Sequence, residues 1–139
     1  VPVTPNTVTS CSGKSLLWLG PEEWLLNVHE GEEDPLAGGY SPIECEETAV
    51  IVDVSDHYTV ISIGGAESVD VLSQACGIDL APESFSPVQC ARCAFARTTG
   101  ILRPLDDRGG YELIIESSYA KYAEQWLTRA IGKGPTVPA

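Results

Sequence analysis

Basic residues are scarce in this chain. Its 139 residues hold 8 Lys+Arg against 20 Asp+Glu, a formal net charge of −12 at pH 7. Phosphate binding needs clustered Lys and Arg, so a surface of this sign repels nucleic acid and is not drawn to an anionic membrane. Long apolar runs are missing too, and nothing approaches the ~20 residues that span a bilayer. No charged segment followed by an apolar one opens the sequence at Val1, so no signal peptide is visible and a cytoplasmic location is expected. The glycine signatures of catalysis are also missing. There is no Gly-x-Ser-x-Gly elbow, no Gly-x-x-x-x-Gly-Lys-Ser/Thr loop and no Gly-x-Gly-x-x-Gly. Serine-nucleophile, nucleotide-cradle and dinucleotide-cradle chemistry lose their usual markers.

Metal-ligating residues are few. His29 and His57 are the only imidazoles, and they stand far apart. Five cysteines (Cys11, Cys45, Cys76, Cys90 and Cys93) are an odd number and cannot all pair within the chain. Cys90-Ala-Arg-Cys93 has metal-ligand spacing, but a structural zinc site needs four ligands and no second pair exists. Free thiols, a redox pair and a metal site are the competing readings. The segment reads as a strand, in which residues three apart face opposite sides, so the two sulfurs do not converge.

What is present suits a folded domain: 43% hydrophobic and 20% charged residues. One domain over 1–139 is expected, with 1–14 and 133–139 poorly ordered unless partners hold them. The charge is lopsided. Residues 1–69 carry Lys14 alone against twelve carboxylates, while 70–139 carry seven basic and eight acidic residues. The acids between Glu22 and Glu47 read as a solvated loop or as a docking surface for a basic patch. An EF-hand pattern is missing there.

Residues 15–19 and 24–28 read as strands of a hairpin around Gly20-Pro21, followed by the long loop 30–47. Two β-branched runs, 49–54 and 58–63, read as further strands. Gly64-Gly65 then opens a helix with Ala66, Val69, Leu72, Ser73 and Cys76 on one face, and Gly77 suits a left-handed end. Strands are expected over 88–96, 100–103 and 111–115, with a turn at 106–110. The last helix has Tyr119, Tyr122, Ala123, Trp126, Leu127, Ala130 and Ile131 at helical spacing, Ser117 or Ser118 as cap and Gly132 as stop. Such an order predicts an α+β fold with helices on one face of an antiparallel sheet.

Asp53, Ser55, Asp56 and His57 form the one polar cluster beside a strand end. Asp and His could act as an acid/base pair if folding joined them. Alternatively, Asp53 and Ser55 serve the turn and His57 is exposed.

Three stretches resemble the gamma subunit family of heterotetrameric sarcosine oxidase. They are Leu17-Trp18-Leu19-Gly20-Pro21-Glu22-Glu23-Trp24-Leu25-Leu26, Val52-Asp53-Val54-Ser55, and Cys76-Gly77-Ile78-Asp79-Leu80 through Phe85 to Cys90. Tyr111-Glu112-Leu113 and the Tyr/Trp-rich helix after it fit as well. The Trp-Leu-Gly-Pro-Glu-Glu-Trp-Leu-Leu stretch is specific, whereas Asp-Val-Ser is shared with glycine-cleavage T-protein-like domains. The family usually places His directly after Asp-Val-Ser, where Asp56 stands here and His57 follows.

The resemblance implies a ferredoxin-like, T-protein-related fold, here missing N-terminal elements of the family pattern. It implies a non-catalytic subunit of a complex with alpha, beta and delta chains, which demethylates sarcosine or a related N-methyl amine oxidatively and passes the methyl group to tetrahydrofolate. FAD, FMN, NAD and tetrahydrofolate belong to that complex and none to this subunit, so no catalytic, cofactor or metal residue carries over. Trp18, Trp24 and Trp126 are then the candidate interface residues. The alternative is a stand-alone folate or one-carbon binding protein of the T-protein type, using the strand end near Asp53.

Overall fold

The computed structural model of the chain describes residues 2–29, 51–105 and 109–133. The acidic residues from Glu30 to Glu47, with Cys45, lie outside them, as does the tail from 134.

Among the described residues, seven strands and two helices form two antiparallel sheets with a helical layer. Strands β1 (Val8–Cys11), β2 (Lys14–Gly20) and β3 (Glu23–Asn27) pair in the order β1-β2-β3. Strands β4 (Tyr58–Ile63), β5 (Ala91–Phe95), β6 (Thr98–Pro104) and β7 (Tyr111–Glu116) make the second sheet, ordered β4-β7-β6-β5. Helix α1 (Ser68–Ser73) lies between β4 and β5, and α2 (Ala120–Lys133) ends the described chain.

The central strands β6 and β7 explain the layering. Their apolar runs put large side chains on both faces, the pattern of strands covered on both sides. Leu102, Tyr111, Leu113 and Ile115 pack with Val71 and Leu72 of α1 and with Ala123, Leu127 and Ala130 of α2. Ile101 and Ile114 point the other way, into Val8 and Leu17 of the three-stranded sheet and Cys90. Leu102, Leu113 and Ile115 are fully buried, and each such side chain contributes ~1.5–3 kcal/mol of burial.

The hairpins follow local chemistry. Ser12 (φ 50°) and Gly13 (φ 78°) form a two-residue loop between the paired Cys11 and Lys14, the primed-turn geometry that matches strand twist. Pro21-Glu22 closes β2 onto β3, with Glu22 in the left-handed region at φ 63°.

Strands β2, β3, β4, β6 and β7 match expectation, and both helices pack on one face of the four-stranded sheet. Several details differ. The polar stretch before Ser12 forms β1, where no strand was expected, because the Ser12-Gly13 turn folds it onto β2. The four-stranded sheet is antiparallel throughout, as expected, but its element order is not the ferredoxin-like one, because α2 follows the last strand instead of preceding it. Of the strand expected over 49–54, residues 49–50 lie outside the described residues, as do 106–108 of the expected turn, and 51–54 are not a strand. Ile51 and Val52 are exposed and no described strand pairs with them, so β propensity has no ladder to act through.

Helix α1 is rotated and shortened. Ser68, Val71, Leu72 and, beyond its end, Cys76 are buried, while Ala66, Val69 and Ser73 are exposed. On this face the Ser68 hydroxyl donates to the Gly109 carbonyl at 2.7 Å. Gly77 does not take a left-handed φ. Strand β5 starts at Ala91, since Val88 and Gln89 belong to a turn held by a Thr7–Gln89 bridge just before β1 and by the Val8 N–H, which donates to the Val88 carbonyl. A 3-10 turn, Ser117–Tyr119, precedes α2, and Gly132 lies inside that helix. Tyr119 and Ile131 are exposed at its two ends.

Gly100 sits where β6 passes under Leu113. A Cβ there would stand 2.7 Å from Leu113 Cδ1 and 3.3 Å from the Ile114 carbonyl. Gly100→Ala is expected to destabilise the protein by ~1–3 kcal/mol through overpacking. Gly64→Ala, which meets open space, should cost less in the same urea titration.

Candidate functional site

The outer face of the three-stranded sheet has no neighbouring layer among the described residues. Strand alternation sends Leu17, Leu19 and Leu25 inward, and therefore Leu16, Trp18, Trp24 and Leu26 outward. Trp18 stands opposite Trp24, and Leu16 opposite Leu26, in the β2–β3 register. Trp24 is 38% exposed and Leu26 37%, and the Trp24 indole N–H donates to the Pro2 carbonyl at 2.7 Å. An apolar patch of two indoles and two leucines results. Arg92 of β5 reaches Glu23 at 3.2 Å near its edge.

Trp126 is elsewhere. It is half-buried in the helix-side core, edge-on to Phe95 with ring centroids 5.4 Å apart. The four-stranded sheet separates it from Trp18 and Trp24, so the three tryptophans do not share a surface.

The Asp53–His57 cluster forms a turn. Asp53 Oδ1 accepts from the Ser55 N–H at 2.9 Å and from the Ser55 hydroxyl at 2.6 Å. These bonds, the side-chain one first, hold its carboxyl below the usual carboxylate range. His57 turns away, with Nε2 4.0 Å from Glu116 and its ring edge-on to Tyr58. Asp53 and His57 are not joined as an acid/base pair. A shallow hollow of about 400 Å³ is lined by residues 53–57. Another, of about 610 Å³, runs between edge strand β4 and α2, lined by Ile61, Ile63, Leu127 and Ile131 among others.

The cysteines behave as the strand reading requires. Cys90 faces the three-stranded sheet, its thiol directed to the Trp18 and Thr7 carbonyls at 3.5 and 3.7 Å. Burial pushes that thiol up. Cys93 faces the helix-side core, which also holds Cys76. Cys11, Cys76, Cys90 and Cys93 are free. Among the described residues no group of three His, Cys, Asp or Glu could hold a metal ion, and no helix is long and apolar enough to cross a membrane.

Two antiparallel sheets, helices on the far face and an open apolar patch define an α+β chain with a surface suited to protein contact. The family model described as "Sarcosine oxidase, gamma subunit family" matches residues 1–133, and the chain belongs to that family. Sarcosine oxidase subunit gamma of Corynebacterium sp. (strain P-1) is 26% identical over 129 residues, covering 93% of this chain and 62% of the relative. Its counterpart from Arthrobacter sp. is 26% identical over 130 residues, covering 92% of this chain and 63% of the relative. The chain thus spans about three-fifths of the length of these relatives. A chain of the solved heterotetrameric sarcosine oxidase from Corynebacterium sp. U-96, in complex with pyrrole 2-carboxylate, has the same fold. It superposes with a TM-score of 0.81 at 23% identity, covering 99% of this chain and 70% of that one.

Asp79 repeats the Asp53 device, accepting from the Ser84 hydroxyl at 2.7 Å and the Ala81 N–H at 3.0 Å, which lowers its pKa. A carboxyl depressed in the folded state contributes stability above its unfolded pKa of ~3.9, and loses it as pH falls through the folded value. Carboxyl NMR titration is expected to find both groups below the ordinary value. Ser55→Ala should raise Asp53 alone, and Ser84→Ala Asp79 alone.

Proposed function

We propose that this chain is a non-catalytic structural subunit of a heterotetrameric sarcosine-oxidase-like flavoenzyme complex, docked on its larger neighbours through Leu16, Trp18, Trp24 and Leu26. The observation that carries this reading is the family match over residues 1–133, joined to an apolar sheet face that no described element covers. Indoles half-exposed on a rigid sheet suit an interface, since aromatic anchors lose little entropy when they are covered and dominate binding energy.

In this reading alpha, beta and delta chains are the partners. FAD, FMN, NAD and tetrahydrofolate reside in those chains, where sarcosine or a related N-methyl amine is demethylated and its methyl group passes to tetrahydrofolate. The residues of this chain supply position instead of chemistry. Asp53 is tied to Ser55 and His57 lies by Glu116, so neither is aimed at a substrate in concert with the other. A cytoplasmic setting is compatible with the four free thiols.

Co-expression with the alpha, beta and delta chains of the same host tests the assignment. The chain is expected to co-purify with them. Trp24→Asp or Leu26→Asp should weaken that association at least tenfold, with little change in thermal midpoint. Val69→Asp, at an exposed position on α1, should leave it intact. Sarcosine turnover or tetrahydrofolate binding by the isolated chain would overturn the reading in favour of a stand-alone one-carbon protein.

A further inference from the structure

We propose that the open edge of β4, with the groove between it and α2, joins a second copy of this chain across a two-fold axis, making one continuous antiparallel sheet of two four-stranded halves. β4 is an outer strand of the four-stranded sheet, and no described strand lies beyond it. Its ladder with β7 fixes which backbone groups are open. The Ser117 N–H donates to the His57 carbonyl at 2.8 Å, in register with the Tyr58–Glu116 pair, so Thr59, Ile61 and Ile63 turn their N–H and C=O groups to β7. Tyr58, Val60 and Ser62 therefore direct theirs outward along the edge. Such edges are ordinarily guarded by charge, proline or a bulge. The other outer strand of this sheet, β5, carries Arg92, paired with Glu23 at 3.2 Å. β4, Tyr-Thr-Val-Ile-Ser-Ile, has no charge, no proline and no break in register, and its Val60 is 45% exposed.

The groove of about 610 Å³ has Ile61, Ile63, Leu127 and Ile131 in its walls, where alternate side chains of an added strand would be covered. Two features select a second copy as the source of that strand. The first is charge. Lys121 and Glu124 stand one turn apart on the helical wall, both exposed, and no ion pair among the described residues engages either. A two-fold contact sets residue i against j and j against i, so a basic and an acidic residue on one lip become two ion pairs across the axis. The second is register. Antiparallel addition about Val60 sets it against the copy's Val60, and Tyr58 against the copy's Ser62, which engages every open backbone group of β4. α2 starts beside the start of β4, where Thr59 Oγ1 lies 3.1 Å from Ser117 Oγ, so that axis passes near the first turn of α2, which holds Lys121 and Glu124. The contact leaves the outer face of the three-stranded sheet free and does not rest on the subunit assignment.

Sedimentation equilibrium of the full chain, from micromolar to submillimolar concentration, is expected to show a reversible monomer–dimer equilibrium. Val60→Lys, which places a charge on the edge at an exposed position, should raise the dimer dissociation constant ~10-fold or more with an unchanged thermal midpoint. Lys121→Glu and Glu124→Lys should each weaken the dimer several-fold, and the double exchange should restore it, which a merely destabilised fold does not produce. That exchange, on an exposed helical surface, decides even if Val60→Lys fails to fold. A chain that stays monomeric throughout, a dimer that Val60→Lys leaves intact, or a double exchange that does not restore association would each overturn the proposal. So would a monomer whose Val60→Lys variant no longer co-purifies with the larger chains, because the edge then belongs to a strand of theirs. Trp24→Asp, on the other sheet, should leave the dimer intact, so that loss of docking and loss of self-association are read separately.

Discussion

Two central strands, each buried on both faces, hold this molecule together. β6 and β7 carry Leu102, Leu113 and Ile115 toward the helices and Ile101 and Ile114 toward the smaller sheet. A strand with one wet face would leave one of these layers without a seat. The Arg103–Glu112 pair, cross-strand partners on the smaller-sheet face, shows the cost of that arrangement. It is largely shielded from water, and a charge there without its partner would face a heavy desolvation penalty.

The smaller sheet is in turn defined by what lies beneath it. Val8 and Leu17 close over Ile101, Ile114 and Cys90, which obliges Leu16 and Trp18 to face outward. An apolar outer face on a three-stranded sheet is a consequence of strand alternation combined with an almost continuous apolar run in β2. Such a run is needed only if both faces are eventually covered. The link between fold and proposed role lies here: the helix layer satisfies one side of the molecule, and the second face of β2 and β3 is left for another chain.

Groups that could carry chemistry are mostly engaged in maintaining shape. Asp53 and Asp79 each bind a hydroxyl and a backbone N–H two to five residues ahead, ordering turns. Cys90 closes the seam between the sheets.

Much of this was legible in the sequence, and the limits have physical causes. The β2–β3 hairpin, the two central strands and the last helix follow from apolar periodicity and from Gly-Pro punctuation, both local properties. The stretch Leu17 to Leu26, one of the three that carried the family resemblance, lies in that hairpin. The opposite facing of Cys90 and Cys93 followed from the two-residue period of a strand. Other features needed the whole fold. Residues 51–54 have strand-like side chains but no partner among the described strands, the buried face of α1 carries Ser68 bonded to Gly109, and Trp126 packs edge-on to Phe95. Side-chain pattern decides which way a residue faces within its own element. Which element it meets is set by packing between distant segments, and that is why the open face of Trp18 and Trp24 could be located only in the folded chain.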